Sequence, residues 1–435
     1  MKFKIGICII SLVTLMIFSC ESDFPELVEY ENDDIILHEK WPFYVGVAVP
    51  GAKTNNTNIN SNLDANALNA SSPQHRFLKH FNVVAAENEM KPYNILPTSM
   101  PSGQPSTWTA SSFIWTHSDA LVNYAKANDK KIRGHVLIWH DQTPNWFFQG
   151  SGTAGRATKQ ELYARMEAYI KAVFEKYGGD IEWWDVCNEV VDHSITTNGG
   201  ARSDSMYTRI MEDSGFSDID RYDYVVEAFK LARKYADLNG GTNVKLYLTD
   251  FGIERRFPGQ DRSKIDVFEE LVNYLIEKDA PIDGVGFQGH FRLYDHPVYP
   301  DDCTCNNSNC KDHSISEGID RFSAIKRKDG KNLTVQVCEL DISIFSGYKG
   351  EIELTRMPNS VLNQRLTDLG NTYRDFFEMF EEKFDEGKLD LVLIWGIADG
   401  HSWLNNHPRE GRTDYPLLFS RNNKAKEAYW RLVQE

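Results

Sequence analysis

The sequence predicts an α/β protein built as one (β/α)8 barrel, a TIM barrel in a single domain with enlarged loops. Short, almost continuously apolar runs alternate with amphipathic segments along the 435 residues. Apolar runs between amphipathic helices indicate a parallel sheet covered by helices. Eight such units favour a closed barrel over an open sheet. No glycine-rich phosphate loop, internal repeat or composition shift indicates a second folded domain.

The eight predicted strands span residues 43–49, 82–86, 131–139, 181–187, 244–248, 282–288, 333–339 and 389–395. Apolar residues spaced three or four apart predict helices at 161–177, 222–236, 264–278 and 368–384. Polar segments at about 194–220, 296–318 and 345–365 are predicted to be loops grown on the barrel.

The N-terminus has the pattern of a targeting segment. Lys2 and Lys4 precede an apolar run over 5–18, and the run ends in Ile17-Phe18-Ser19-Cys20, which resembles a bacterial lipobox. We expect residues 1–19 to be a lipoprotein signal peptide and Cys20 to be lipidated. The acidic stretch 20–40 would then be a tether, with the folded domain at 41–435.

This pattern predicts an exported protein that is lipid-anchored to the bacterial cell envelope, with the outer membrane as the expected location. Ordinary secretion, if the lipobox is not used, and a retained anchor are the alternatives.

The net charge of −16 argues against nucleic acid as a partner. We expect a monomer without a cofactor or a metal ion. Cys303, Cys305 and Cys310 crowd a polar loop, which favours a disulfide over a metal site completed by His313. Cys187 and Cys338 lie in apolar runs and are predicted to pack as core residues.

Two of the predicted strands end in a glutamate. Glu189 closes the fourth apolar run and Glu339 closes the seventh. A carboxylate at the end of a buried strand is costly to desolvate unless it has a partner or a use. Two such carboxylates suggest paired acid/base chemistry, and glycosidic bond cleavage is the commonest reaction built on such a pair.

Polar and aromatic residues follow the other strands, where a barrel of this kind places its active site. Glu339 and Asp341 share one strand face, and Gln288 and His290 share another. We therefore expect His290 to lie between Glu339 and Asp341.

These strand ends carry six motifs that resemble those of glycoside hydrolase family 10, which is dominated by endo-β-1,4-xylanases. They occur in family order over about residues 41–435. The motifs are Glu87-Asn88-Glu89-Met90-Lys91, Arg133-Gly134-His135 with Trp139-His140, Trp184-Asp185-Val186-Cys187-Asn188-Glu189, Gly286-Phe287-Gln288-Gly289-His290, Glu339-Leu340-Asp341 and Trp395-Gly396 with Asp399 and Trp403.

The resemblance implies retaining endo-hydrolysis of β-1,4-xylosidic linkages in xylan and xylo-oligosaccharides. Glu189 would be the general acid/base and Glu339 the nucleophile. Asn188, His290 and Asp341 would support them, with Asn188 bound to the sugar 2-hydroxyl. The implied substrate-binding residues are Glu87, Asn88, Lys91, His135, Trp139, Gln142, Gln288, Trp395 and Trp403.

The sequence departs from the family pattern in several places. Thr249 stands where an Asn is usual, Cys338 stands where a Thr is usual, and Gly289 replaces a common Thr or Ser. These changes remove no catalytic group. One alternative is a related retaining β-glycanase acting on other β-1,4-glucans. A non-catalytic glycan-binding surface lipoprotein is disfavoured, because both glutamates are present.

Overall fold

The predicted closed barrel of eight parallel strands is confirmed in a computed structural model of the chain. The structure describes residues 29–30, 33–49, 67–151, 155–192, 200–256, 262–300, 313–345, 358–408 and 412–434. The predictions for residues 1–19, for Cys20 and for Cys303, Cys305 and Cys310 lie outside these ranges.

Each strand pairs in parallel with its two neighbours, and the last strand also pairs with the first, which closes the barrel. The strands are β1 Tyr44–Val49, β2 Val83–Ala86, β3 Lys131–Gly134, β4 Trp183–Asn188, β5 Lys245–Asp250, β6 Gly284–Phe287, β7 Thr334–Ser343 and β8 Leu389–Ile394.

The predicted third strand is interrupted, the sixth is followed by a further short strand, and the seventh is longer than predicted. The third strand stops at Gly134, before a cis peptide between His135 and Val136, and resumes at Ile138–Trp139 alongside β4. The sixth strand resumes at His290–Arg292, which pairs with the extended end of β7. Both interruptions fall at the carboxyl ends of the strands, where the predicted site residues lie.

Helices surround the barrel. They are α1 Pro92–Ile95, α2 Thr116–Ala127, α3 Lys159–Tyr177, α4 Met206–Asp213, α5 Asp223–Leu238, α6 Lys264–Glu277, α7 Ile315–Ser323, α8 Asn359–Asp385 and α9 Glu427–Val433. None of the helices in these described ranges combines the length and apolarity needed to cross a membrane.

Helix α4 lies inside the segment 194–220, where the sequence predicted only a loop. Ser205 caps its first turn by accepting a hydrogen bond from the Thr208 backbone. Tyr207, Ile210 and Met211 are buried along one face. This face is too short to give a clear helical period in the sequence. The Tyr207 ring stacks on Tyr224 of α5, so packing against neighbouring elements stabilises the helix.

The barrel interior holds a small apolar cluster and a layer of buried charged residues. The cluster consists of Ala48, Val83, Ala85, Trp183, Tyr247, Leu391, Leu393 and Trp395. In the charged layer, Arg133 bonds Asp185 and Gln336. Burial alone would raise the pKa of the Asp185 carboxyl, but Arg133 and His135 hold that pKa below its usual range. The Arg133–Asp185 ion pair therefore places a buried positive charge next to its own counter-charge inside the barrel.

The chain before β1 packs against the C-terminal helix. Glu29–Tyr30 pairs antiparallel with Ala425–Lys426. Leu37 is buried, and the Trp41 indole donates to the Leu432 carbonyl at 3.2 Å. The last part of the segment predicted as a tether is therefore attached to the barrel.

Candidate active site

The strand ends of β4, β6 and β7 bring the two glutamates to one hydrogen-bonded network. The Glu339 backbone N–H donates to the Gln288 carbonyl at 2.8 Å. The Gln288 side chain donates to Glu189 Oε1 at 2.9 Å. One residue at the end of β6 thus contacts both predicted catalytic residues.

Glu339 is held by two histidines and is nearly buried, with a side-chain exposure of 7%. His290 Nε2 lies 3.3 Å from Glu339 Oε2, and His135 Nδ1 lies 3.8 Å from Oε1. The other ring nitrogen of His290 lies 2.9 Å from Asp341 Oδ1. The predicted position of His290, between Glu339 and Asp341, is therefore what the structure shows.

Asp341 and Trp403 fix His290 from behind. The Trp403 indole donates to Asp341 Oδ2 at 2.8 Å, and its ring packs edge-on against His290 with centroids 4.8 Å apart. Burial alone would lower the pKa of His290, but the carboxylates of Asp341 and Glu339 together raise that pKa well above its usual value. The imidazolium therefore supplies a positive charge at Glu339.

Glu189 is more exposed than Glu339, with 18% of its side chain accessible. It follows β4 directly and adopts a positive φ of 53°. Gln288 is its hydrogen-bond donor, and the Arg202 guanidinium lies 4.0 Å from Oε2. Arg202 is itself bound to Asp204 through two hydrogen bonds of 2.9 and 2.8 Å. Arg202 is thus shared between Asp204 and Glu189.

Lys91 and three aromatic rings form a second group at the mouth. Lys91 Nζ donates to Asn88 Oδ1 at 3.1 Å and lies 4.8 Å from the Trp139 ring and 5.9 Å from the Trp395 ring. The Trp395 ring contacts His135 edge-on at 5.3 Å. Because His135 also faces Glu339, this group borders the carboxylate network.

Backbone hydrogen bonds hold two further predicted residues, Gln142 and Glu87. The Gln142 carbonyl accepts from the Tyr93 backbone at 2.7 Å. The Glu87 backbone donates to Val49 at the end of β1 at 3.2 Å, and its side chain is half-buried. The remaining predicted residue, Asn188, belongs to the network of Gln288 and Glu189.

Several residues of the network were not predicted as functional. Thr249 donates to Asn188 Oδ1 at 2.9 Å, and the sequence showed Thr249 only as a departure from the family pattern. Glu254 is buried and accepts from the Gly289 backbone at 3.1 Å, between Gln288 and His290. The sequence signal for Glu254 was a glutamate at the end of a short apolar stretch that directly follows β5.

Asp250 forms a buried ion pair next to Glu189. Lys264 Nζ lies 2.6 Å from Asp250 Oδ1, and the Val191 backbone donates to Oδ2 at 3.1 Å. Burial raises the pKa of Asp250 to about 6, although Lys264 opposes the shift. Within the described residues, no group of histidine, cysteine and carboxylate side chains has the arrangement of a metal site.

A parallel eight-stranded barrel with two differently bonded carboxylates and an aromatic-lined mouth is the arrangement that a glycoside hydrolase uses. The family model of glycosyl hydrolase family 10 matches residues 50–435. The chain belongs to glycosyl hydrolase family 10 and is a xylanase-type glycoside hydrolase.

Named relatives agree with this family. The chain is 36% identical over 376 residues to endo-1,4-beta-xylanase C of Paenibacillus barcinonensis, a match that covers 85% of this chain but only 30% of that longer protein. It is 33% identical to a thermostable celloxylanase of Thermoclostridium stercorarium, covering 82% of this chain and 79% of the relative.

Solved structures show the same fold. A GH10 structure from Paenibacillus barcinonensis superposes with a TM-score of 0.72 at 32% identity and covers 92% of this chain and 97% of the solved chain. Xylanase B from Clostridium stercorarium F9 gives a TM-score of 0.68 at 30% identity, covering 92% and 98%.

Proposed function

We propose that the chain hydrolyses internal β-1,4-xylosidic linkages of xylan with retention of configuration. Glu339 attacks the anomeric carbon while Glu189 protonates the leaving oxygen, which gives a glycosyl–enzyme intermediate. Glu189, now ionised, then takes a proton from water as the water attacks the same carbon and releases Glu339.

The unequal bonding of the two carboxylates is the observation that carries this proposal. Glu339 is the more buried of the two, and its Oε2 lies 3.3 Å from His290 Nε2, which fixes the carboxylate as a nucleophile requires. Glu189 accepts one hydrogen bond from the Gln288 amide and is more exposed, with Arg202 4.0 Å from its other oxygen. The exposed carboxyl can reach both a leaving oxygen and an incoming water, as an acid/base residue must.

Buried polar atoms without a partner support substrate contacts at the mouth. Within the described residues, Glu339 Oε1, Trp139 Nε1 and Gln142 Oε1 are buried without a hydrogen-bond partner. Buried polar atoms are rarely left unsatisfied. We assign their missing partners to sugar hydroxyls or the reacting sugar, with Glu87, Asn88, Lys91, His135, Trp395 and Trp403 lining the same subsites.

Following product anomers by NMR tests the mechanism. We expect β-configured xylo-oligosaccharides to form first and to mutarotate later, with viscosity falling early because cleavage is internal. An α-anomer as first product, or release of xylose alone from chain ends, would contradict the proposal.

A relative named celloxylanase makes other β-1,4-glucans the second candidate substrate. Rates on xylan, glucuronoxylan and barley β-glucan, measured side by side, compare the two candidates. We expect xylan to be hydrolysed fastest, and faster cleavage of β-glucan would favour the second candidate.

We also propose that the enzyme acts as a monomer that is exported and lipid-anchored at Cys20. The support is the lipobox-like Ile17-Phe18-Ser19-Cys20 after the apolar run. Metabolic labelling with a radioactive fatty acid should mark the wild type and not Cys20→Ala. An equally labelled variant would refute the anchor.

A further inference from the structure

Thr249 contacts both residues at the end of β4. It is the register partner of Asn188 on the neighbouring strand β5 and is fully buried. Its hydroxyl donates to Asn188 Oδ1 at 2.9 Å, and its carbonyl accepts from the Glu189 backbone at 3.0 Å. A residue in this place holds the side chain of Asn188 and the main chain of Glu189 together.

The Asn188 oxygen receives a second hydrogen bond from Gln288. One N–H of Gln288 Nε2 points to Asn188 Oδ1 at 3.1 Å and the other to Glu189 Oε1 at 2.9 Å. If the Asn188 amide were turned over, its NH2 group would face the NH2 group of Gln288. Two donors therefore fix the oxygen of Asn188 inside the protein and leave its two N–H groups for another acceptor.

The shape of the site orients the Thr249 hydroxyl. A Cβ added to Gly286 on β6 would lie 2.3 Å from the Thr249 methyl, so the methyl occupies the space that glycine leaves open. A β-branched side chain has few χ1 rotamers, and packing of its methyl selects one of them. In that rotamer the hydroxyl lies 2.9 Å from Asn188, while its contact with the Cys187 carbonyl is longer, at 3.3 Å.

We propose that Thr249 is a positioning residue that, together with Gln288, directs the amide N–H of Asn188 at the 2-hydroxyl of the reacting sugar. Gln288 sets which side of the amide faces inward, and Thr249 prevents the amide from rotating. The inference rests on the proposed function, in which Asn188 binds that hydroxyl. It gives a role to a position where this chain carries threonine instead of the usual asparagine.

The test compares two aryl glycosides, 2,4-dinitrophenyl β-xylobioside and its analogue that lacks the 2-hydroxyl on the reacting xylose. Thr249→Val keeps the branched shape and removes the hydroxyl. We expect kcat/KM for the complete substrate to fall about tenfold, the value of one good hydrogen bond. For the deoxy analogue we expect a loss below about twofold, because the hydroxyl that Asn188 binds is already missing.

Thr249→Ser is the matched control, because it keeps the hydroxyl and removes the methyl. It should restore most of the dependence on the 2-hydroxyl that Thr249→Val loses. If Thr249→Val does not fold, Thr249→Ser and Thr249→Ala form a second pair that differs only by the hydroxyl. An equal loss on both substrates would show a general packing role and overturn the proposal.

Asn188→Ala tests the role of Asn188 separately from the role of Thr249. If this variant loses rate equally on both substrates, Asn188 does not bind the 2-hydroxyl, and both the proposed role of Asn188 and the role of Thr249 fall. If Asn188→Ala discriminates between the substrates and Thr249→Val does not, only the role of Thr249 falls.

Discussion

The two sides of the active site bind their carboxylates by different means. Glu339 faces a charged relay in which His290 bridges to Asp341, and Trp403 supports Asp341. Glu189 accepts from the Gln288 amide and lies 4.0 Å from Arg202, which is bound to Asp204. The buried carboxylate held by the relay suits a nucleophile with a fixed position, and the more exposed one suits a group that must reach both the leaving oxygen and water.

Removing each carboxylate is the strongest way to test this difference. Glu339→Gln should lower turnover by on the order of 10⁴-fold or more on xylan and on a 2,4-dinitrophenyl xyloside, since both need the nucleophile. Glu189→Gln should lower xylan hydrolysis by about 10³-fold but spare the first step on the dinitrophenyl substrate. The measurement is the burst of dinitrophenol in stopped flow.

A burst that disappears in Glu189→Gln and persists in Glu339→Gln would exchange the two roles. Added azide provides a check, because a small anion can replace water on the exposed Glu189 side. We expect azide to accelerate Glu189→Gln on the dinitrophenyl substrate and to form β-xylosyl azide.

The charged side should respond to Asp341→Asn with a change in pH dependence. Asp341 is the main charge that raises the pKa of His290. The positive charge of His290 is present below that pKa and is lost as the pH rises through it. Lowering the pKa should make the His290 imidazole, followed by NMR, lose its proton about one pH unit or more below the wild type.

The NMR titration of His290 in Glu254→Gln serves as the comparison for Asp341→Asn. Glu254 also lies near His290 but binds the Gly289 backbone and not the imidazole. We expect a smaller change in the pKa of His290 in this variant. An unchanged His290 titration in Asp341→Asn would contradict the charged relay.

The smallest expected effect comes from Trp403→Phe. This variant keeps an aromatic ring and removes the 2.8 Å hydrogen bond to Asp341. We expect kcat/KM to fall about three- to tenfold, consistent with the loss of one hydrogen bond to a carboxylate. Trp146→Phe is the matched control, because the Trp146 indole binds the Pro97 carbonyl and touches none of the site residues named above.

The sequence was sufficient for the barrel and for the pairing of His290 with Glu339 and Asp341. Both follow from simple periodicities: eight apolar runs between helices, and alternate residues of a strand sharing one face. Parallel strands place their carboxyl ends together, so residues far apart along the chain were predicted to meet.

The partners of Glu189 were harder to predict. Gln288 was expected to line a sugar subsite, and the structure also bonds it to Asn188 and Glu189. Whether the Gln288 amide reaches Asn188 and Glu189 depends on the offset between strands β4 and β6. The sequence does not encode this offset locally. The register shift between Asp185 and Cys187 sets part of that offset, and it depends on pairing with β5.

Gln288 and His290 are separated only by Gly289, and each holds one of the two glutamates. Gly289 has a φ of 78°, and a Cβ there would lie 2.8 Å from the Val337 side chain, so the turn has little freedom. Retaining and inverting glycosidases differ in carboxylate separation, about 5–5.5 Å against about 6.5–9.5 Å. The separation itself is set by β4 and β7, which carry the glutamates, whereas the three-residue turn fixes the spacing of the two side chains that orient them. A residue inserted in the turn would displace one of these side chains relative to the other and so uncouple the orientation of Glu189 from that of Glu339.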